Sequence, residues 1–111
     1  MPEKAEREKM LMNTYQEQVA EFMTPEADNE NYLALGLCEE AGEVAKHFAK
    51  KIRDGKFDEK AVMKELGDVL WFVAMLAQKT GYSLEDVARV NIYKLRDRQA
   101  RGVINGSGDD R

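Results

Sequence analysis

The sequence predicts an all-α fold, a bundle of four to five helices around an antiparallel central helix hairpin. Apolar residues recur at helical intervals along the chain, and no stretch alternates as a half-buried strand would. Glycine, proline and capping residues fall between the periodic segments, where helices must stop and start. With 111 residues, 43% of them apolar and 34% charged, the chain has the size and composition of one soluble domain. That domain is expected over residues 1–100, followed by a Gly/Ser/Asp-rich tail at 101–111.

Leu11, Tyr15, Val19 and Phe22 recur at intervals of four, four and three, which is one face of a first helix. The polar run Thr24-Pro25-Glu26-Ala27-Asp28-Asn29 ends it, because proline disfavours helix in the residue before it. A second helix is expected from near Asn31 to about Arg53, stopped by Gly55 in a left-handed turn. Asp58 is the natural N-cap of a third, running to about Lys79 and closed by Gly81. Ser83-Leu84-Glu85-Asp86 has the spacing of a capping box and opens a fourth.

Val69 to Ala77 in the third helix is apolar on every side, the pattern of a helix buried all round. Four short helices cannot easily surround one of their own members. The sequence therefore predicts oligomerisation through apolar helix faces, as a homodimer or a dimer of dimers.

The net charge of −4 argues against a nucleic-acid partner, which would call for a concentrated basic face. The same apolar run is far shorter than a membrane span, and the charged N-terminus lacks the apolar core of a signal peptide. A single cysteine, Cys38, permits neither an internal disulfide nor a cysteine-cluster metal site. A cytoplasmic protein with no membrane association is expected.

The chemistry concentrates in two carboxylate pairs. Glu40 and Glu43 are neighbours on the second helix, as Glu65 and Asp68 are on the third. At roughly 100° per residue, Leu33, Leu37 and Val44 share an arc with Glu40, and Val62, Val69, Phe72 and Leu76 share one with Glu65. The acids thus interrupt core-facing stripes. The short connection at Gly55 makes the helices antiparallel and brings the pairs to similar depth. Inward carboxylates without cations would repel one another or take up protons. An oxygen-only donor set favours magnesium, with manganese as a substitute, over zinc or copper. A single such pair would read as a solvated charged face. A di-iron bundle would require a Glu-x-x-His pair on each of two helices, and His47 is the chain's only histidine.

Glu39-Glu40-Ala41-Gly42-Glu43, followed by Glu65-Leu66-Gly67-Asp68, resembles the EExxE…ExxD signature of the MazG-like all-α nucleoside triphosphate pyrophosphohydrolases. The flanks Tyr15-Gln16, Lys51-Ile52-Arg53-Asp54-Gly55 and Asp68-Val69-Leu70-Trp71 are similar too, so the resemblance covers about residues 11–111. The tail from Arg98 resembles a subset of small MazG-like proteins, some of them from phages. The resemblance implies magnesium-dependent hydrolysis of an NTP or dNTP to the monophosphate and pyrophosphate, with nucleotide-pool house-cleaning as the expected role. It also implies Glu40, Glu43, Glu65 and Asp68 as metal ligands, which the residues suggest independently.

Glu39, beside the ligands without needing to be one, is the expected general base; the alternative is a surface charge paired with Lys46 or Lys50. Candidate phosphate contacts are Lys51, Arg53, Lys94, Arg98 and Arg101. Asn91 with Lys94 resembles the family's Asn-x-x-Lys and adds a contact to phosphate or sugar. His47 stands near the carboxylate face, for packing or for phosphate. Trp71 and Tyr32 serve either the core or a stacked base. Two further readings compete: a non-catalytic metal- and nucleotide-binding sensor, and a related dUTP/dCTP or phosphoribosyl-ATP pyrophosphohydrolase.

Overall fold

A computed structural model describes residues 9–111, and it contains helices but no strand among them. Helix α1 spans Met12–Val19 and runs into a 3-10 turn at Ala20–Phe22; α2 spans Glu30–Asp54, α3 Glu59–Lys79 and α4 Leu84–Ala100. Three of the ends are set by residues that the sequence marks, Gly55, Asp58 and Ser83, and one by Asn29, which reads from the sequence only as part of the polar break. Asn29 caps α2 by accepting from the Tyr32 amide, one residue earlier than expected. Gly55 stops α2 at φ 70°, and its amide returns to the Lys51 carbonyl. Asp58 caps α3 through the Ala61 amide at 3.1 Å. Ser83 and Asp86 form the full capping box of α4.

Helices α2 and α3 share the largest interhelical contact. Along this seam Gly36 meets Phe72, Glu40 meets Glu65 and Asp68, and Phe48 meets Phe57 at 5.0 Å between ring centroids. Residue numbers rise on one helix as they fall on the other, so the hairpin is antiparallel. Gly36 permits the closest approach, because a Cβ there would stand 2.2 Å from Phe72 Cε1.

Leu33, Ala74, Met75 and Leu84 form the buried centre, with Tyr15, Val19, Trp71 and Phe72 packed against it. Helix α1 is fastened by polar contacts as well. The buried Gln16 donates to the carbonyls of Ala74 (3.0 Å) and Tyr82 (3.3 Å), and its Oε1 accepts from the Leu84 amide at 2.9 Å. Trp71 donates its indole N–H to the Val19 carbonyl at 3.0 Å, so its polar end is satisfied within the core.

The expectation that α3 is buried all round does not hold within one chain. Ala74, Met75 and Ala77 are buried, whereas Leu66 and Leu70 are exposed and Val69, Val73 and Leu76 only half-buried. Helix α4 also exposes Val87, Val90, Ile92 and Leu95. Three helices cannot enclose a fourth whose apolar surface runs round its whole circumference.

The tail is a loop, as its composition suggests, but one folded back on α4. Arg98, 5% exposed, donates to the carbonyls of Gly108 and Asp109 and to the Asp109 carboxylate. Arg111 reaches the carbonyls of Val103, Ile104 and Gly108. No helix of the described residues is long and apolar enough to cross a membrane.

Candidate metal centre

The acid cluster lies on the α2–α3 seam, about one turn along α2 from the Gly36–Phe72 contact that sets the helix spacing. One carboxylate oxygen from each of Glu40, Glu65 and Asp68 lies within 4.8 Å of the others. Glu40 and Glu65 are half-buried and Asp68 is exposed, so the site has two walls and one open side. Glu43 is half-buried one turn along α2 and does not join this group. Its position is rotated by roughly 60° from Glu40, which takes its side chain off the centre of the seam. Glu39 is exposed at the rim.

The electrostatics follow from this crowding. Burial pushes the Glu40 carboxyl up to about 7, helped by a hydrogen bond with Glu65 and by the negative charges of Asp68, Glu65 and Glu39. A proton here does what a cation would otherwise do. Tyr15, reaching in from α1, has its phenol raised above the ordinary value, chiefly by burial and then by the charge of Asp68. Helix α1 therefore brings a phenol within electrostatic reach of Asp68. Two sequence signals bear on it: the place of Tyr15 on the apolar stripe, which reads equally as core, and the Tyr15-Gln16 flank of the family resemblance.

An oxygen-only set of three carboxylates, two of them partly withdrawn from water, fits a hard divalent cation. The arrangement supports no di-iron site of the Glu-x-x-His kind, because His47 does not join the group.

The cationic residues expected to hold phosphate are dispersed. Lys51 stacks over the Phe57 ring at 4.5 Å, and Arg53 lies 3.6 Å from Asp54. On α4, Asn91 and Lys94 line an open cavity of about 950 Å³, with Leu70, Val73, Leu84 and Val87 among its apolar walls. Lys94 and Arg98 both meet the Asp109 carboxylate at 3.2 Å. Arg101 pairs with Asp97 and the Arg111 carbonyl. Tyr32 is half exposed on α2. His47 lines a separate cavity of about 260 Å³ at the turn of the hairpin, together with Lys50 and Lys56.

The profile of the MazG nucleotide pyrophosphohydrolase domain matches residues 28–103, a span that holds α2, α3, α4 and all three clustered carboxylates and leaves out α1. The "Gene 37 protein" of Mycobacterium phage L5 is 42% identical over 86 residues, covering 73% of this chain and 75% of that protein. No solved structure matches. The profile match and the carboxylates at the heart of the hairpin agree, and the chain belongs to the MazG nucleotide pyrophosphohydrolase domain family.

Proposed function

We propose that this protein is a magnesium-dependent hydrolase that converts an NTP or dNTP to the nucleoside monophosphate and pyrophosphate, clearing surplus or non-standard nucleotides. The convergence of Glu40, Glu65 and Asp68 from two facing helices carries this reading. Those three residues would hold the metal, Glu43 would complete its shell, and manganese would substitute. When bound, magnesium supplies charge neutralisation along the triphosphate and acidifies water beside it.

The protein's residues do the rest. Glu39 is exposed at the rim and free to accept the proton of the water that attacks the α-phosphorus. The new P–O bond forms as the bond to the β-phosphate oxygen breaks, and pyrophosphate leaves. Glu40, whose carboxyl is raised, would have to lose its proton to hold the cation, so cation binding would strengthen as pH rises. Asn91 and Lys94 contact substrate from α4 once Lys94 parts from Asp109.

The active form is a homodimer or dimer of dimers in which a second copy covers the apolar surface of α3 and α4, including Leu70, Val87 and Val90. The enzyme works in the cytoplasm.

A panel of common and modified NTPs and dNTPs, incubated with magnesium and resolved by chromatography, tests the reaction. Monophosphate and pyrophosphate are the expected products. Diphosphate and orthophosphate would rule out attack at the α-phosphorus, and no turnover would favour a nucleotide sensor.

A further inference from the structure

The chain carries a net charge of −4, yet residues 46–64 hold seven Lys/Arg against three acids, a local net of +4. This basic segment is the tip of the α2–α3 hairpin, and the structure sorts its cations into two groups. Lys51 is committed to the Phe57 ring and Arg53 to Asp54. His47, Lys50 and Lys56 instead converge on the 260 Å³ cavity closed by Phe57, Asp58 and Ala61. None of the ion pairs among the described residues engages Lys50 or Lys56. The one acid in the wall, Asp58, has a carboxylate oxygen occupied in capping the Ala61 amide.

The cavity continues the seam that holds the acid cluster. Glu43, His47 and Lys50 recur at intervals of four and three on α2, and Glu65, Ala61 and Asp58 at the same intervals in reverse on α3. Lys50 stands ten positions beyond Glu40 on α2 and Asp58 seven positions before Glu65 on α3, about 15 Å and about 10 Å along the helix axes, and the long lysine side chain with an extended polyphosphate spans that interval. The cavity is small and has no free aromatic face for a base, since the Phe57 ring packs on Phe48 and Lys51. Its chemistry suits a compact polyanion.

We infer that the His47–Lys50–Lys56 cavity binds the pyrophosphate end of the substrate and holds free pyrophosphate as product. The scissile bond then lies over the carboxylates and the nucleoside points the other way along the seam, toward α1. This polarity rests on the hydrolase reading; the affinity for pyrophosphate does not.

Inorganic pyrophosphate and, separately, a nucleoside monophosphate are titrated calorimetrically into the full-length chain with magnesium present. The Lys50→Gln/Lys56→Gln variant should bind pyrophosphate at least about tenfold more weakly, with monophosphate affinity and Mn²⁺ binding unchanged. Lys9→Gln/Arg96→Gln removes the same charge from exposed positions outside the cavity and should leave pyrophosphate binding intact. In turnover assays the lysine variant should raise KM for triphosphate and relieve product inhibition by pyrophosphate. Absence of pyrophosphate binding to the unmodified chain, or equal weakening in both variants, overturns the inference. Triphosphate hydrolysis with unaltered pyrophosphate affinity in the lysine variant would sink it while sparing the hydrolase reading. Lysine-dependent pyrophosphate binding without turnover of any nucleotide would do the reverse.

Discussion

Glu40 on α2 and Glu65 on α3 bring carboxylate oxygens within 4.8 Å of each other across the hairpin seam, a crowding that favours a proton on one of them when no cation is present. Burial and the neighbouring acids raise the Glu40 carboxyl from 4.5 to about 7. Between those values the folded chain holds more protons than the unfolded one, so stability falls as pH rises. Metal-free protein should therefore melt at progressively lower temperature from about pH 5 to about pH 8. Saturating magnesium should oppose the trend, since the cation displaces the proton. Melts in chelator and in magnesium test this, and calorimetry in two buffers of different ionisation enthalpy should detect proton release near neutral pH. A metal-free melting temperature that climbs over this interval would contradict the raised Glu40 carboxyl.

The spacing of the seam depends on Gly36. A methyl group there would meet Phe72 Cε1 at 2.2 Å, so Gly36→Ala must displace the ring or separate the helices. A loss of about 1–3 kcal/mol is expected from this overpacking. Because the carboxylates sit little more than a turn away, Mn²⁺ affinity should fall with stability. Gly42→Ala, with nothing within 4 Å of its added Cβ, is the matched control and should be neutral or mildly stabilising. Thermal melts and Mn²⁺ titration of the pair decide the point.

Gln16 is an amide whose removal should matter more than its size suggests. It satisfies the carbonyls of Ala74 and Tyr82 and the first-turn amide of α4 at Leu84. Gln16→Leu preserves bulk but leaves those groups unpaired, at about 1–3 kcal/mol for each that stays dry. The expected result is a marked drop in urea midpoint. Glu17→Leu, one residue on and exposed, should have little effect.

The hairpin was legible in the sequence because its determinants are local: the Asp58 cap, the left-handed Gly55 and the Ser83 capping box each act within a few residues. The carboxylate pairs were legible for the same reason, since helical periodicity alone puts Glu40 and Glu65 on core-facing stripes. What periodicity could not supply was rotation about the helix axes and the third helix's contribution. Those decide that Glu43 stands apart from the cluster, that Tyr15 faces Asp68, and that Gln16 is buried. The Arg98 guanidinium was unreadable for a different reason: its partners lie in a Gly/Ser-rich tail with no periodicity.

That guanidinium organises the tail. It is almost wholly buried, binds two backbone carbonyls and the Asp109 carboxylate, and leaves its Nε without a partner. Arg98→Met should release residues 101–111, seen as rapid tryptic cleavage after Arg101 in a chain that otherwise remains helical. Asp109→Asn should keep the carbonyl contacts and lose only the charges facing Lys94 and Arg98, so its proteolysis should stay slow. Equal proteolysis of both variants would show that the ion pair, and not the buried guanidinium, pins the tail.

The clustered carboxylates should differ from Glu39 and Glu43 in what their loss removes. Glu40, Glu65 and Asp68 offer oxygens within 4.8 Å of one another, so Asp68→Asn or Glu65→Gln should abolish Mn²⁺ binding and hydrolysis together. Glu43 stands outside that group, and Glu43→Gln should weaken Mn²⁺ binding by a smaller factor. Glu39 is exposed at the rim and felt at Glu40 only through its charge. Glu39→Gln should therefore keep the metal and the nucleotide while hydrolysis falls by about 10²–10⁴-fold, the loss typical of a missing general base. Titration of Mn²⁺ by electron paramagnetic resonance beside single-turnover hydrolysis separates the cases. If Glu39→Gln loses the metal as fully as Asp68→Asn does, Glu39 is a ligand, and the proton of the attacking water must be accepted by another group.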